Sequence, residues 1–124
     1  MSAGAWVAGG AVLCALSVAG GAFGAHALAS RLDAHALQLW ETSARYLMYG
    51  GLGVVLAGLA AARWPEAGFP RAAGALLVGA LIFAGTVAAL ALGAPRWLGA
   101  VTPIGGLLLV LGFLLFAWSA WRLA

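Results

Sequence analysis

The sequence predicts an all-α membrane protein: a transmembrane four-helix bundle with an amphipathic interfacial helical segment between the first and second spans. Hydrophobic residues make up 65% of the chain and charged residues only 7%, whereas a soluble domain carries about 25% charged residues. So few charges cannot cover the surface of a soluble protein. The arginines also lie singly at the borders of apolar segments, at positions 31, 45, 63, 71, 96 and 122. We therefore expect one integral membrane domain, residues 1–124, surrounded by membrane lipids.

Four apolar segments are long enough to cross a membrane. Residues 3–25 contain no charge and would form about 34 Å of helix, more than the hydrocarbon thickness of about 30 Å. Residues 46–62 would form only about 25 Å, so the arginines on either side must extend to the headgroups or the helix must stand upright. The third and fourth predicted spans are residues 72–95 and 103–121.

The segment between the first two spans, residues 28–45, has a different pattern. At 100° per residue Leu28, Leu32, Ala36 and Leu39 fall on one arc with Trp40 at its edge, and the opposite arc carries Arg31, Gln38, Glu41, Thr42 and Arg45. This pattern predicts an amphipathic helix on the membrane surface. Asp33 is the expected N-cap, and the helix is expected to continue from Ala34 into the second span because neither Pro nor Gly occurs before Gly50.

The stretch WETSARYLMY provides the candidate polar cluster. Glu41, Arg45 and Tyr49 follow one another at four-residue spacing and line one stripe where the helix enters the membrane. The favoured interpretation is an interfacial ion pair between Glu41 and Arg45, with Tyr46 and Tyr49 as interfacial aromatics. The alternative is a proton or solute gate in which Glu41 titrates and His26 shares the proton.

The stretch TPIGG is the expected start of the last span. Thr102 is a possible N-cap, and Pro103 suits the first helical turn because the N–H that it lacks would be unpaired there. Gly105 and Gly106 complete this motif. A second interpretation is that the N–H groups of this helix start face an anionic headgroup or substrate, as in transporters with broken helices.

Small residues predict close packing between the spans. Gly20, Gly21 and Gly24 are the candidate packing residues at the end of the first span, because glycine lets two helix backbones approach. The same four-residue spacing recurs at Gly53 with Ala57 and at Gly85 with Ala89 and Gly93.

The chain lacks the residues that several kinds of functional site require. GGAFGA has no preceding strand and no acidic ribose ligand, so it does not indicate a dinucleotide site. His26, His35, Cys14 and the three acidic residues show no metal-ligand spacing, and no nucleophile set is present. The arginines are isolated from one another and do not form the clustered positive surface that binding to nucleic acid requires. We therefore predict no catalytic, cofactor or metal residues, and not an enzyme.

GAFGAHAL at 21–28, WETSARYLMY at 40–49 and TPIGG at 102–106 resemble, in order and spacing, the YgdD/YwdK-like family. These are small four-span bacterial membrane proteins classed as a domain of unknown function. The resemblance implies a multi-pass protein of the bacterial inner membrane without an assigned activity. The chain departs from the family pattern at Gly50, where a histidine is common, and this departure weakens the proton-relay interpretation.

Two functions remain open. The first is a structural or interaction component of the membrane, with the polar face at the membrane entrance as its docking surface and a second copy or another membrane protein as its partner. The second is a small oligomeric transporter or channel for protons or a small solute. Orientation stays undetermined, because three arginines fall on each side of the membrane.

Overall fold

The computed structural model describes residues 1–124 and contains four long helices without any strand. They are α1 (Ala3–Phe23), α2 (Ala34–Arg63), α3 (Phe69–Ala91) and α4 (Thr102–Trp121). A π-helical segment, Gly24–Leu28, follows α1, and a 3-10 helix, Arg96–Ala100, precedes α4. All four helices are long and apolar enough to cross a membrane. The predicted four-span helical membrane fold is thus confirmed.

Side-chain caps fix the starts of the first two helices. The hydroxyl of Ser2 accepts a hydrogen bond from the N–H of Ala5 at 3.1 Å. The carboxylate of Asp33 accepts one from the N–H of Ala36 at 2.8 Å, as predicted. These bonds satisfy donors that have no partner within the first helical turn.

The third helix is shifted toward the N-terminus relative to the predicted span, residues 72–95. It begins at Phe69 because Pro70 fits the first turn, where a backbone N–H is not needed. It ends at Ala91, and Gly93 then adopts a φ of +96°, a conformation that glycine reaches without strain. The first span, in contrast, is longer than predicted, because the π-helical segment extends it to Leu28.

Residues 34–45 of the predicted amphipathic segment belong to α2, whereas Leu28 ends the π-helical segment and residues 29–33 are not helical. From Ala34 the helix runs unbroken into the second span, as expected. Glu41 and Arg45 on its charged arc are exposed. Its apolar arc packs on protein: the indole of Trp40 lies against Phe23, with ring centroids 6.3 Å apart. The segment is therefore docked along α1 and does not form a separate surface helix.

The helices pack in chain order: α1 against α2, α2 against α3, and α3 against α4, whereas α1 and α4 do not touch. The buried core between them includes Leu13, Val54, Leu76, Ala80 and Leu109. This order leaves α1 and α4 with one extensively packed neighbour each, so most of their surface faces the membrane.

Two glycine pairs bring neighbouring helices into backbone contact. A Cβ on Gly10 would lie 2.7 Å from the carbonyl oxygen of Gly51, where α1 crosses α2. A Cβ on Gly79 would lie 2.9 Å from the carbonyl oxygen of Gly105, where α3 crosses α4. In a membrane, such close contact replaces the hydrophobic effect as the source of helix association.

The three predicted packing glycines at the end of α1 have different surroundings. A Cβ on Gly20 or Gly21 would meet no other atom within 4 Å, so neither is a point of close contact between helices of this chain. A Cβ on Gly24 would overlap the indole of Trp40, so Gly24 is a close-packing position. Gly20 borders a cavity between α1, α2 and α3 that leaves its Cβ position open, whereas the indole of Trp40 fills the corresponding space beside Gly24.

Candidate functional site at the membrane entrance

One face of α2 is left free by the other helices. Its exposed residues recur every three or four positions: Glu41, Arg45, Tyr49, Leu52, Leu56 and Leu59. We call these six residues the α2 stripe. Arg63 continues the same line of positions, about 27 Å from Arg45 at 1.5 Å per residue. The distance between Arg45 and Arg63 approaches the hydrocarbon thickness, so the two arginines lie near opposite headgroup layers. Glu41 is one turn from Arg45 and lies near the same layer as Arg45.

The predicted ion pair between Glu41 and Arg45 is not formed. No nitrogen of Arg45 lies within 4.0 Å of a Glu41 carboxylate oxygen, and both residues are exposed. A pair of this type on an exposed helix contributes only about 0.3–0.5 kcal/mol, which barely offsets the cost of fixing two long side chains. The two charges are therefore free for contacts outside the chain.

His26 lies in the π-helical segment after α1 and is exposed. It forms no ion pair with Glu41, and neither residue takes part in a side-chain hydrogen bond. The structure thus does not join His26 to the α2 stripe.

The two tyrosines of the predicted cluster form an aromatic contact at the edge of the stripe. The rings of Tyr46 and Tyr49 meet edge to face, with centroids 5.2 Å apart. Tyr46 also contacts Phe83 of α3, at 4.8 Å between centroids. Tyr46 therefore anchors the stripe to α3, while Tyr49 remains about half exposed, at 48%.

The opposite side of α2 carries hydrogen bonds to both neighbouring helices. The indole N–H of Trp40 donates to the carbonyl oxygen of Gly20 at 2.7 Å. The hydroxyl of Ser17 in α1 donates to the carbonyl oxygen of Ala44 in α2. Ser43 donates to the carbonyl oxygen of Ala84 in α3, at 2.7 Å. Polar groups inside a membrane need such partners because water is absent.

A cavity of about 220 Å³ lies near these bonds, between α1, α2 and α3. Its polar side chains are Trp40 and Ser43, and both already form the hydrogen bonds described above. The rest of the lining consists of Leu16, Gly20, Ala44, Leu47, Ala84, Gly85 and Ala88. The cavity therefore offers shape and apolar surface to a ligand but no free polar group.

The TPIGG motif starts α4, but the helix begins at Thr102, one residue before the predicted Pro103, and Thr102 is not its cap. Val101 occupies the cap position, and no side chain caps this end. The hydroxyl of Thr102 instead lies 2.7 Å from that of Thr86 and 3.2 Å from the carbonyl oxygen of Leu98. The hydrogen bond between the two hydroxyls links α4 to α3. Each hydroxyl thereby gains a partner inside the membrane. Pro103 lies in the first turn, as expected.

The two glycines of this motif have different surroundings. A Cβ on Gly105 would overlap the backbone nitrogen of Phe83, so this residue sits at the closest approach of α4 to α3. A Cβ on Gly106 would make ordinary contact with the ring of Phe83, at 3.6 Å. Only Gly105 is therefore required by packing.

The interhelical hydrogen bonds of Ser17, Ser43 and Thr86 were not predicted from the sequence. A usable signal was present for Ser17 and Thr86, since each is an isolated hydroxyl inside an apolar span and must find a partner there. Ser43 lies beside Thr42 in the predicted interfacial segment, so it gave no such signal. The sequence does not identify the acceptor, which is a main-chain carbonyl for both serines. Nowhere in the chain do three or more His, Cys, Asp or Glu side chains form a group that could hold a metal ion.

Four apolar helices, interhelical hydroxyl bonds and a charged membrane entrance define a small multi-pass membrane protein. The chain matches the family described as "Protein of unknown function (DUF423)" over residues 20–106, and it belongs to this family. This range contains all three motifs that carried the resemblance to the YgdD/YwdK-like proteins.

The similar proteins are bacterial and are named as membrane proteins. The chain is 38% identical to the UPF0382 membrane protein SH2409 of Staphylococcus haemolyticus over 113 residues, which are 91% of this chain and 92% of that protein. It is 33% identical to the UPF0382 membrane protein YwdK of Bacillus subtilis over 112 residues, 90% of this chain and 91% of that protein. No solved structure matches the chain.

Proposed function

We propose that this protein is a structural component of the bacterial inner membrane, not an enzyme, and that it associates with a second copy of itself through the α2 stripe. The observation that carries the proposal is the exposure of Glu41 and Arg45 on one face without a partner in the chain. At headgroup level a carboxylate and a guanidinium without partners in the chain can attract opposite charges on a neighbouring protein. A partner that supplies those charges would use both side chains.

The arrangement of the charges favours a second copy as that partner. Two copies with the same orientation in a membrane are related by a two-fold axis along the membrane normal, and such an interface uses the same patch on both subunits. Glu41 and Arg45 are one helical turn apart and opposite in sign. In such a pair each residue lies level with its own copy, so the contact is diagonal: the long Arg45 side chain of one copy can reach about 6 Å along the axis to the Glu41 carboxylate of the other, and the two-fold axis repeats this contact.

The apolar part of the stripe supports the same arrangement. Tyr49, Leu52, Leu56 and Leu59 are separated by three, four and three residues, the alternation typical of helices that pack in a left-handed pair. All four side chains are about half exposed. The other faces of α2 are occupied by α1 and α3, so this face is the one through which α2 can meet a second copy.

Charge reversal tests the proposed self-association. We expect Glu41→Arg and Arg45→Glu, made singly, each to weaken dimerisation about tenfold, because like charges then face each other; a loss of 1.4 kcal/mol corresponds to a factor of ten. The double variant should restore dimerisation, since exchange of the two charges keeps the patch self-complementary. The measurement is energy transfer between labelled copies in lipid vesicles as a function of the protein-to-lipid ratio.

The matched control is Arg31→Glu, a reversal at an exposed arginine on the same side of the membrane but outside the α2 stripe. It should leave dimerisation unchanged. Failure of the double variant to rescue association would contradict a two-fold contact between copies. Loss of association in the control would show that net charge, and not this surface, governs the result.

Transport of protons or a small solute is less well supported. A relay needs titratable groups within reach of each other, and His26 and Glu41 are both exposed and not joined. Transport predicts a proton flux in vesicles that Glu41→Gln abolishes. A flux of this kind would favour transport over the structural role.

A further inference from the structure

A second cavity lies at the opposite membrane surface, where α2 is linked to α3 and where α4 ends. It has a volume of about 330 Å³, at the lower end of the roughly 300–1,000 Å³ typical of small-molecule sites. Its polar lining consists of Glu66, Arg71, Ser119 and Arg122, and its apolar lining includes Leu115, Trp118 and Leu123. None of these residues belongs to the α2 stripe.

Ser119 lines this cavity, and its hydroxyl has no hydrogen-bond partner within the chain. The residue is only 5% exposed, and it takes part in none of the side-chain hydrogen bonds of the chain. A Cβ on Gly68 would lie 2.6 Å from its Oγ. Gly68 is the N-cap position of α3, where no side chain caps the helix. An unpaired hydroxyl thus sits beside the positive end of a long helix, where an anion is stabilised.

Three unpaired charges surround the same cavity. Arg71 lies in the first turns of α3 and Arg122 directly follows α4, so the two guanidinium groups come from different helices. Glu66 contributes a carboxylate from the connecting loop. No arginine nitrogen is within 4.0 Å of a Glu66 oxygen. The cavity therefore presents two cations and one anion that do not neutralise each other.

We propose that this cavity binds the headgroup of a phospholipid that carries both a phosphate ester and a primary ammonium group, that is, a phosphoethanolamine headgroup. Arg71, Arg122 and the hydroxyl of Ser119 would donate to the phosphate oxygens, for which guanidinium groups and hydroxyls are suitable donors. Glu66 would accept hydrogen bonds from the ammonium group. One site thus complements both charges of the ligand.

The surroundings of the cavity favour a lipid over a soluble phosphate ester. Arg71 and Arg122 border apolar spans, so they lie at headgroup level. Leu115 and Trp118 line the cavity and are also exposed on α4, by 37% and 59%. An acyl chain can therefore leave the cavity along the outer face of α4 without a polar barrier.

Lipid binding to the purified full chain in detergent, followed by native mass spectrometry, tests this proposal. We expect phosphatidylethanolamine to bind at least tenfold more tightly than phosphatidylglycerol, which lacks the ammonium group, and than phosphatidylcholine, whose quaternary ammonium cannot donate hydrogen bonds. Arg71→Gln, Arg122→Gln and Ser119→Ala should each weaken its binding, the arginine variants by about tenfold, since each removes a charge-assisted hydrogen bond. Glu66→Gln should abolish the preference over phosphatidylglycerol.

Arg63→Gln is the matched control. Arg63 borders the same membrane surface, but its guanidinium lies over the ring of Trp64, at 5.1 Å, and does not line the cavity. This variant should bind like the parent chain. Equal binding of all three lipids, unchanged binding in the four cavity variants, or an equal loss in Arg63→Gln would overturn the proposal. Soluble glycerophosphoethanolamine should not displace the lipid at the same concentration; equal displacement would assign the site to a soluble ester.

Discussion

Gly105→Ala is expected to lower the free energy of unfolding by about 2–3 kcal/mol, the upper part of the range for overpacking a closely packed site. The added Cβ would overlap the backbone nitrogen of Phe83 and approach the carbonyl oxygen of Gly79 to 2.9 Å. Backbone atoms cannot move aside as a flexible side chain does, so α3 and α4 must separate. The measurement is unfolding by SDS in mixed micelles, followed by Trp fluorescence.

Gly106→Ala is the matched control, one position away in the same helix. Its Cβ would make only ordinary contact with the ring of Phe83. Replacement of Gly by Ala inside a helix is itself favourable by about 0.5–1 kcal/mol. Gly106→Ala should therefore leave the stability unchanged or raise it. Equal destabilisation by both variants would contradict the close contact at Gly105 and would indicate a general intolerance of this helix start.

Trp40→Ala is expected to destabilise the chain by about 3 kcal/mol, at the lower end of the range for removing a large aromatic side chain because Trp40 is only partly buried. The variant removes the contact with Phe23 and the hydrogen bond to the carbonyl oxygen of Gly20. It also leaves a void beside Gly24, which has no side chain to fill it. The docking of the first turns of α2 onto α1 should weaken, and this is measured as faster hydrogen exchange over residues 34–45.

Two further variants separate the causes of this effect. Trp40→Phe keeps much of the apolar contact but loses the hydrogen bond, so we expect a loss of about 1 kcal/mol. Trp97→Ala removes an indole that is 66% exposed, and it should have little effect on stability. If Trp97→Ala were as destabilising as Trp40→Ala, the role assigned to Trp40 would be refuted.

The sequence was sufficient to predict the four spans and the start of α2. Isolated arginines at the borders of apolar segments limit where a helix can lie in a membrane, and Asp33 supplies a local cap whose effect depends only on the next three residues. What covers the apolar faces of these helices was determined by tertiary packing. An apolar arc such as that of residues 28–45 can be covered by lipid or by protein, and the choice depended on the fit of Trp40 against Gly24.

The details of the sites could not be predicted from the sequence for three physical reasons. Spans that are apolar on every side do not reveal which face meets a neighbour, so Gly20 and Gly105 look alike although only Gly105 lies at a helix crossing. Arg71 and Ser119 are far apart in the chain, and they share a cavity only because α3 packs against α4. The absence of an ion pair between Glu41 and Arg45 likewise depends on side-chain conformations, which the four-residue spacing does not determine.

The packing of each helix mainly against its neighbours in the chain has a consequence for biogenesis. The stabilising contacts join segments that are close in sequence, so the topology has a low contact order. Each new span can pair with the one made just before it, and no early helix has to wait for the last one in order to close a ring. Assembly can therefore keep pace with insertion from the ribosome, hairpin by hairpin.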